Sequence, residues 1–302
     1  MKMKCKKGLT NDVLIFNSVG FLLVLIFGLM CAIPFYLIFI SSFASEGSLI
    51  RNGFRFIPDE FSLEGYQWVF RNPMRVLYAY RNTICVTVVG TACSIFLCTV
   101  TGYVLSRKDF PWRNGFSLFF FFTTLFNGGL VPWYILCTRY LGFKNSYIAL
   151  ILPLMFSVWN MVIAKNYMKS IPFDIAESAK VDGANDLLIY FKLILPLCKP
   201  LIATLGLFSA LAYWNDWYNS MLFITDSDKQ SLQYFLHEML STVQALKQLA
   251  SAGNQEAITN AVIPQDSMRM AMTCVTIGPI IFLYPLIQKY FVKGLTIGAV
   301  KG

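Results

Sequence analysis

Three stretches of this sequence set side chains at spacings that suit recognition chemistry. From Tyr213 to Asn219 it reads Tyr-Trp-Asn-Asp-Trp-Tyr-Asn, so the rings of Tyr213, Trp214 and Trp217 are interleaved with Asn215 and Asp216. Aromatic rings stack on the C–H faces of a pyranose while amides and carboxylates bond its hydroxyls. A membrane–water interface selects the same mixture, and such a belt is the commoner origin. Asn127-Gly128-Gly129, followed by Pro132, interrupts an apolar run. Freed backbone at membrane depth is tolerated where it faces protein or a wet cavity, and a plain packing kink weighs equally.

The third stretch, Lys165–Pro200, is a long polar interruption between two apolar runs. Pro172 suits a first helical turn, where its missing N–H is no loss. Asp174 and Glu177 fall at the positive end of that helix dipole. Asp182-Gly183 is a stop, because glycine accepts left-handed backbone. Asn185 or Asp186 then caps a second short helix through Tyr190 towards Leu195-Pro196. Small Ala176, Ser178 and Ala179 let another surface approach. Shape suggests a docking element; a solvated loop joining two membrane spans is the plainer alternative.

Bond-making chemistry is thinly provided. His237 is the only histidine and reads as a surface residue. No G-x-x-x-x-G-K-[ST] run is present to cradle a phosphate. Cys31, Cys85, Cys93, Cys98 and Cys274 fall inside apolar runs, with Cys137 and Cys198 at run ends and Cys5 ahead of the first. Their spacing suits neither a metal site nor a disulfide framework, and they read as small packing residues. No catalytic, metal-binding or cofactor-binding residue is expected.

The elements that must hold these stretches are membrane helices. Hydrophobic residues make up 56% of the 302 and mean hydropathy is +0.57, which places the chain among polytopic membrane proteins. Six spans are expected, near 13–39, 83–105, 116–136, 146–163, 201–222 and 270–291, each close to the roughly 20 residues that cross a bilayer core. Asn82 is expected to begin the second. The organisation is then 1–12 inside, a retained first helix within 13–44, an outer segment 45–81, and a five-helix core 82–291. That core carries an inner loop 165–200 and an outer loop 223–267, and residues 292–302 form an inner tail. In the outer loop, Leu232, Phe235, Leu236, Met239, Leu240, Val243 and Leu246 recur at helical spacing.

Charge orients the spans. With the N-terminus inside, the inner segments hold 15 Lys and Arg against 6 Asp and Glu, and the outer ones 10 of each. The whole net charge of +9 thus lies on one side, the positive-inside pattern. Nucleic-acid binding would leave no such split.

Glu177-Ser178-Ala179, Asp182-Gly183-Ala184, Phe191, Ile194, Leu195-Pro196 and Pro200 together resemble the EAA loop of ABC importer permeases, with Ser178 where Ala is usual. The run FNGGLVPWYIL is similar to the third span of oligosaccharide permeases. The end, GPIIFLYPLIQKYFVKGLTIGAVKG, resembles the terminus of maltose-type carbohydrate permeases. The resemblance implies an all-α, six-span type I importer permease in a bacterial cell membrane, with both termini cytoplasmic. It further implies that Glu177, Ser178, Ala179, Asp182, Gly183, Ala184 and Pro196 couple to an ATPase. The implied partners are a second homologous permease, two ATPase subunits that bind ATP and Mg, an extracellular binding protein, membrane lipid and an oligosaccharide substrate. Asn127, Gly128 and Tyr213–Trp217 are the expected substrate path. A secondary transporter or channel would want buried ionisable groups in its spans, and these spans hold almost none. A membrane enzyme would want a titratable cluster at one face.

Overall fold

Backbone in hydrocarbon must satisfy its own N–H and C=O groups, and the computed structural model, which describes residues 11–251 and 264–281, does so with helices. Among the described residues the only β pairing outside them is an isolated bridge between Ala44 and Phe61. The chain divides into two units, residues 1–71 with 249–275, and 72–248 with 276–302.

The first unit opens with α1 (Asn11–Ser41), apolar around its whole circumference and exposed along its length. Short helices α2 (Glu46–Asn52) and α3 (Glu64–Val69) follow. Residues 265–281 are helical, and the start of this helix is held by α2. The buried Glu46 carboxylate accepts from the Asp266 and Ser267 amides, at 2.9–3.1 Å, and from Ser267 Oγ at 3.0 Å. A side chain thus caps amides that have no partner within their own helix. Gly65 lets α3 approach the same turn: a Cβ there would lie 2.6 Å from Ser267 O.

The second unit is organised around α4 (Pro73–Ser106), 34 residues long. Asn72 caps it and Pro73 stands at its first turn, so it starts well before Asn82. Arg75 and Arg81 make those early turns polar, which is why apolar runs miss them. Asn82 is a buried strut instead. Its amide donates to Asp228 O at 2.7 Å and Gln230 O at 3.2 Å, and its carbonyl accepts from Tyr147 at 3.0 Å.

Next come α5 (Arg113–Leu125) and α6 (Leu130–Ile135, running on to Tyr140), bent by 110° at the Asn127-Gly128-Gly129 break. Then α7 (Ile148–Ile151, running on to Leu154) and α8 (Val158–Lys169) meet at 49°. After α9 (Asp174–Val181), α10 (Asp186–Leu188) continues through a π-helical stretch into α11 (Leu195–Leu197). There the chain turns by 83° into α12 (Lys199–Trp214), followed by α13 (Tyr218–Phe223) and α14 (Leu232–Ser251). The expected amphipathic helix of the outer loop is α14, with Leu232, Phe235, Leu236 and Val243 buried.

Two described helices, α1 and α4, are each long and apolar enough to cross a membrane, and the three bent pairs raise this to at most five. The expected last span is helical as far as residue 281, while the C-terminal tail and the N-terminal lysines lie outside the described residues. Small side chains bring α4 against α8 and α12. At Gly102 a Cβ would lie 2.7 Å from that of Ala164, and at Gly90 it would enter the Tyr213 ring. Ser94 Oγ lies 3.0 Å from Ser209 Oγ, which also accepts from Asn160 Nδ2 at 3.3 Å. This buried polar knot joins three helices, the kind of glue that replaces hydrophobic attraction inside lipid.

Candidate functional site

The segment from α9 to α11 has the shape its local chemistry dictates. Gly183 sits at φ +82°, where a Cβ would be strained. With Gly183 left-handed, its N–H reaches Lys180 O at 3.0 Å and Ala184 N–H reaches Ala179 O at 2.9 Å, closing α9. Asn185 Oδ1 accepts from Leu188 N at 2.8 Å, so Asn185 is the cap of α10 and Asp186 its first residue. Pro172 stands just ahead of the α9 cap position, Phe173.

The two faces of this segment differ. Ala179 is 9% exposed and packs inward with Ala176, Ala184, Ile189, Tyr190 and Ile194. Its small size therefore serves the chain's own core. Glu177, Ser178, Asp182, Gly183 and Pro196 are exposed. Beside them stand Val181, 87% exposed, and Leu187, 70% exposed. Sequence reasoning passed over both; the available signal was a bulky apolar residue on an otherwise polar face.

Two attachments fix the segment to α4. Tyr190 OH lies 2.7 Å from Thr99 Oγ1 at a buried position. Arg107, just past α4, pairs with Asp109 and Asp186, and Lys180 Nζ reaches Asp109 at 3.0 Å and Asp186 at 3.8 Å. The Arg107 hydrogen bond holds the Asp109 carboxyl well below the usual carboxylate range, with Lys180 adding to it. The same bond, reinforced by Asp186, raises the Arg107 guanidinium above its ordinary value. This cluster joins α4's exit to both short helices.

On the expected path, Tyr213 and Trp214 are buried. Tyr213 donates to Ile151 O at 2.7 Å and Trp214 Nε1 to Thr276 O at 3.3 Å. Asn215 Oδ1 accepts from Gln233 at 3.2 Å, and the Asp216 carboxylate accepts from Asn219 N and Nδ2 at 3.2 and 3.0 Å. Trp217 is partly exposed and stacks on His237, ring centroids 4.5 Å apart. Asn127 and Gly128 are elsewhere. With Trp133, Pro153, Tyr218 and Asn219 they border an open cavity of about 600 Å³. The aromatic–amide run thus meets the glycine break through Tyr218 and Asn219, one step beyond the residues singled out in sequence. The cavity wall carries rings and amides and no charged side chain. Among the described residues no cluster of His, Cys, Asp and Glu could hold a metal.

Residues 91–297 match the family described as binding-protein-dependent transport system inner membrane component. The chain is 38% identical, over 96% of its length and 98% of the relative's, to the polygalacturonan/rhamnogalacturonan transport system permease protein YtcP of Bacillus subtilis. It is 26% identical to the arabinooligosaccharides transport system permease protein AraQ of Halalkalibacterium halodurans, over 89% and 91%. A chain from the crystal structure of a bacterial ABC transporter involved in import of the acidic polysaccharide alginate superposes with a TM-score of 0.76. That match has 30% identity and covers 93% of this chain and 98% of that one.

Proposed function

The chain belongs to the family of binding-protein-dependent transport system inner membrane components, and on that premise we propose that it is the permease subunit of an ATP-driven importer taking up an oligosaccharide. The permease fold is of the type I importer class, and catalysis of ATP hydrolysis belongs to a separate subunit. Six spans with both termini cytoplasmic agree with the charge asymmetry. A second homologous permease, two ATPase subunits binding ATP and Mg, and an extracellular binding protein complete the assembly.

The observation that carries this reading is the α9–α11 segment, capped at both turns, tethered to α4 by Tyr190 and Arg107, and presenting a bare outer face. Glu177, Ser178, Val181, Asp182, Gly183 and Leu187 form the surface that meets the ATPase. Ala179, Ala184 and Pro196 shape the segment behind it. Closure of the ATPases moves the segment, and the tethers carry that movement into α4. The substrate passes the cavity between Asn127-Gly128 and Tyr218-Asn219. The Tyr213–Trp217 run holds its wall, since its hydrogen bonds are already used within the protein.

A cross-link tests this directly. Val181→Cys, in a background without native cysteines, should join a co-expressed ATPase subunit in a nucleotide-sensitive manner. A folded protein that cross-links to no ATPase would instead favour a channel or a secondary transporter.

A further inference from the structure

Beside the α9–α11 segment lies a second cavity, apart from the proposed substrate path. The end of α4, the first turn of α5, the end of α8 and the inner side of α9 enclose about 360 Å³. Its wall carries Arg107, Lys108, Arg113, Lys165, Lys169 and Lys180 and no acidic side chain. Arg107 and Lys180 are neutralised by Asp109 and Asp186. Among the described residues the other four form no ion pair with a carboxylate. Two are held in position: Lys165 Nζ donates to Ser117 Oγ at 2.7 Å, and Arg113 Nη1 to Arg107 O at 3.4 Å.

Four uncompensated cations around one hollow repel each other unless an anion sits among them. Phosphate oxygens supply that negative charge. Depth agrees as well. Trp112, 69% exposed on the same turn, is the residue type that sits at headgroup level, and basic pockets at the ends of membrane helices hold anionic head groups.

We propose that this cavity binds a phosphate group, carried by an anionic phospholipid or present as free inorganic phosphate. Seated there, it clamps the turn at 106–113 to α8 and α9. The site shares no lining residue with the cavity at Asn127 or with the proposed docking face, so its test does not depend on either.

The test uses the full chain in nanodiscs. Native mass spectrometry after release from mixed phosphatidylcholine and phosphatidylglycerol discs measures retained phosphatidylglycerol. Equilibrium binding of labelled inorganic phosphate is measured in phosphatidylcholine discs. Each is repeated with the double variant Lys108→Gln/Lys169→Gln, whose side chains are exposed, and with Arg113→Gln as a second, independent variant. Enrichment of phosphatidylglycerol that falls about tenfold in the variants identifies a lipid head group. Phosphate binding that falls equally, with no lipid enrichment, identifies the soluble anion. Binding of neither, or binding unchanged in both variants, overturns the proposal.

Discussion

Tyr190 is the donor and Thr99 the acceptor in the 2.7 Å contact that ties the α9–α11 segment to the last two turns of α4. The assignment follows from proton counting. Thr99 Oγ1 has a single proton, and at 2.6 Å from Ile95 O it is already committed to its own helix. Tyr190→Phe therefore leaves no stranded acceptor of consequence and should lower stability by only about 0.5–1.5 kcal/mol. Transport should fall further than stability does, because the tether is lost while the fold is kept. Uptake and thermal melting of the same reconstituted variant check this; equal, small losses in both would show that the contact is merely packing.

Gly183 should tolerate Asn and reject Val. At φ +82° a side chain is strained, asparagine is among the residues enriched there, and a β-branched residue is an outlier. The Val variant should reach the membrane but transport poorly, at a local cost of about 1–2 kcal/mol. Membrane-fraction blots beside uptake assays separate these outcomes.

Gly90→Ala should destabilise the α4–α12 contact, since the added Cβ would lie 2.3 Å from Tyr213 Cζ. Overpacking of this kind costs about 1–3 kcal/mol. Combining it with Tyr213→Leu should recover part of the loss, and a double-mutant cycle on melting temperature measures the coupling.

The Arg107–Asp109–Asp186–Lys180 cluster gives a signed pH dependence. The Asp109 pKa is depressed in the folded chain, so its contribution is present above the unfolded carboxylate value of about 3.9 and is lost as pH falls below it. Asp109→Asn should remove about 1 kcal/mol at neutral pH, because Asp109 itself is exposed to solvent. It should also flatten the acid limb of the stability curve relative to wild type. Melting across the acid range reads both.

Trp133→Ala should reduce uptake while leaving ATP hydrolysis stimulated by the binding protein, if the cavity it borders with Asn127 and Tyr218 is the substrate path. Loss of stimulation and uptake together would place its role in assembly.

How much of this was legible depended on the range of the interaction. Gly183 and Asn185 could be read because a left-handed turn and a cap are settled by neighbours two or three residues away. The inward direction of Ala179 could not, since helical phase gives a side but not which side the rest of the chain covers. Composition alone does not separate an interfacial aromatic run from a sugar-facing one. The structure buries Tyr213 over Gly90, and that glycine, far away in sequence, was the missing half of the signal. Asn82 stands where the apolar run begins and so is expected to open a span, yet the helix starts earlier and its amide serves Asp228 and Gln230. Glu46 is the same lesson across 220 residues.

The 83° turn between α11 and α12 makes the pair a bell crank. One arm is the segment 186–197, about 18 Å long, and the other is the 16-residue α12, about 24 Å at 1.5 Å per residue. Cys198 and Pro200 sit at the pivot, and the proline stiffens the first turn of the long arm. Tilting the short arm by about 5° swings the far end of α12 through about 2 Å. That end carries Trp214 and leads into Tyr218 and Asn219 at the cavity wall. On the proposed mechanism, displacement of the 186–197 arm by the ATPase would thereby be geared into the width of that cavity.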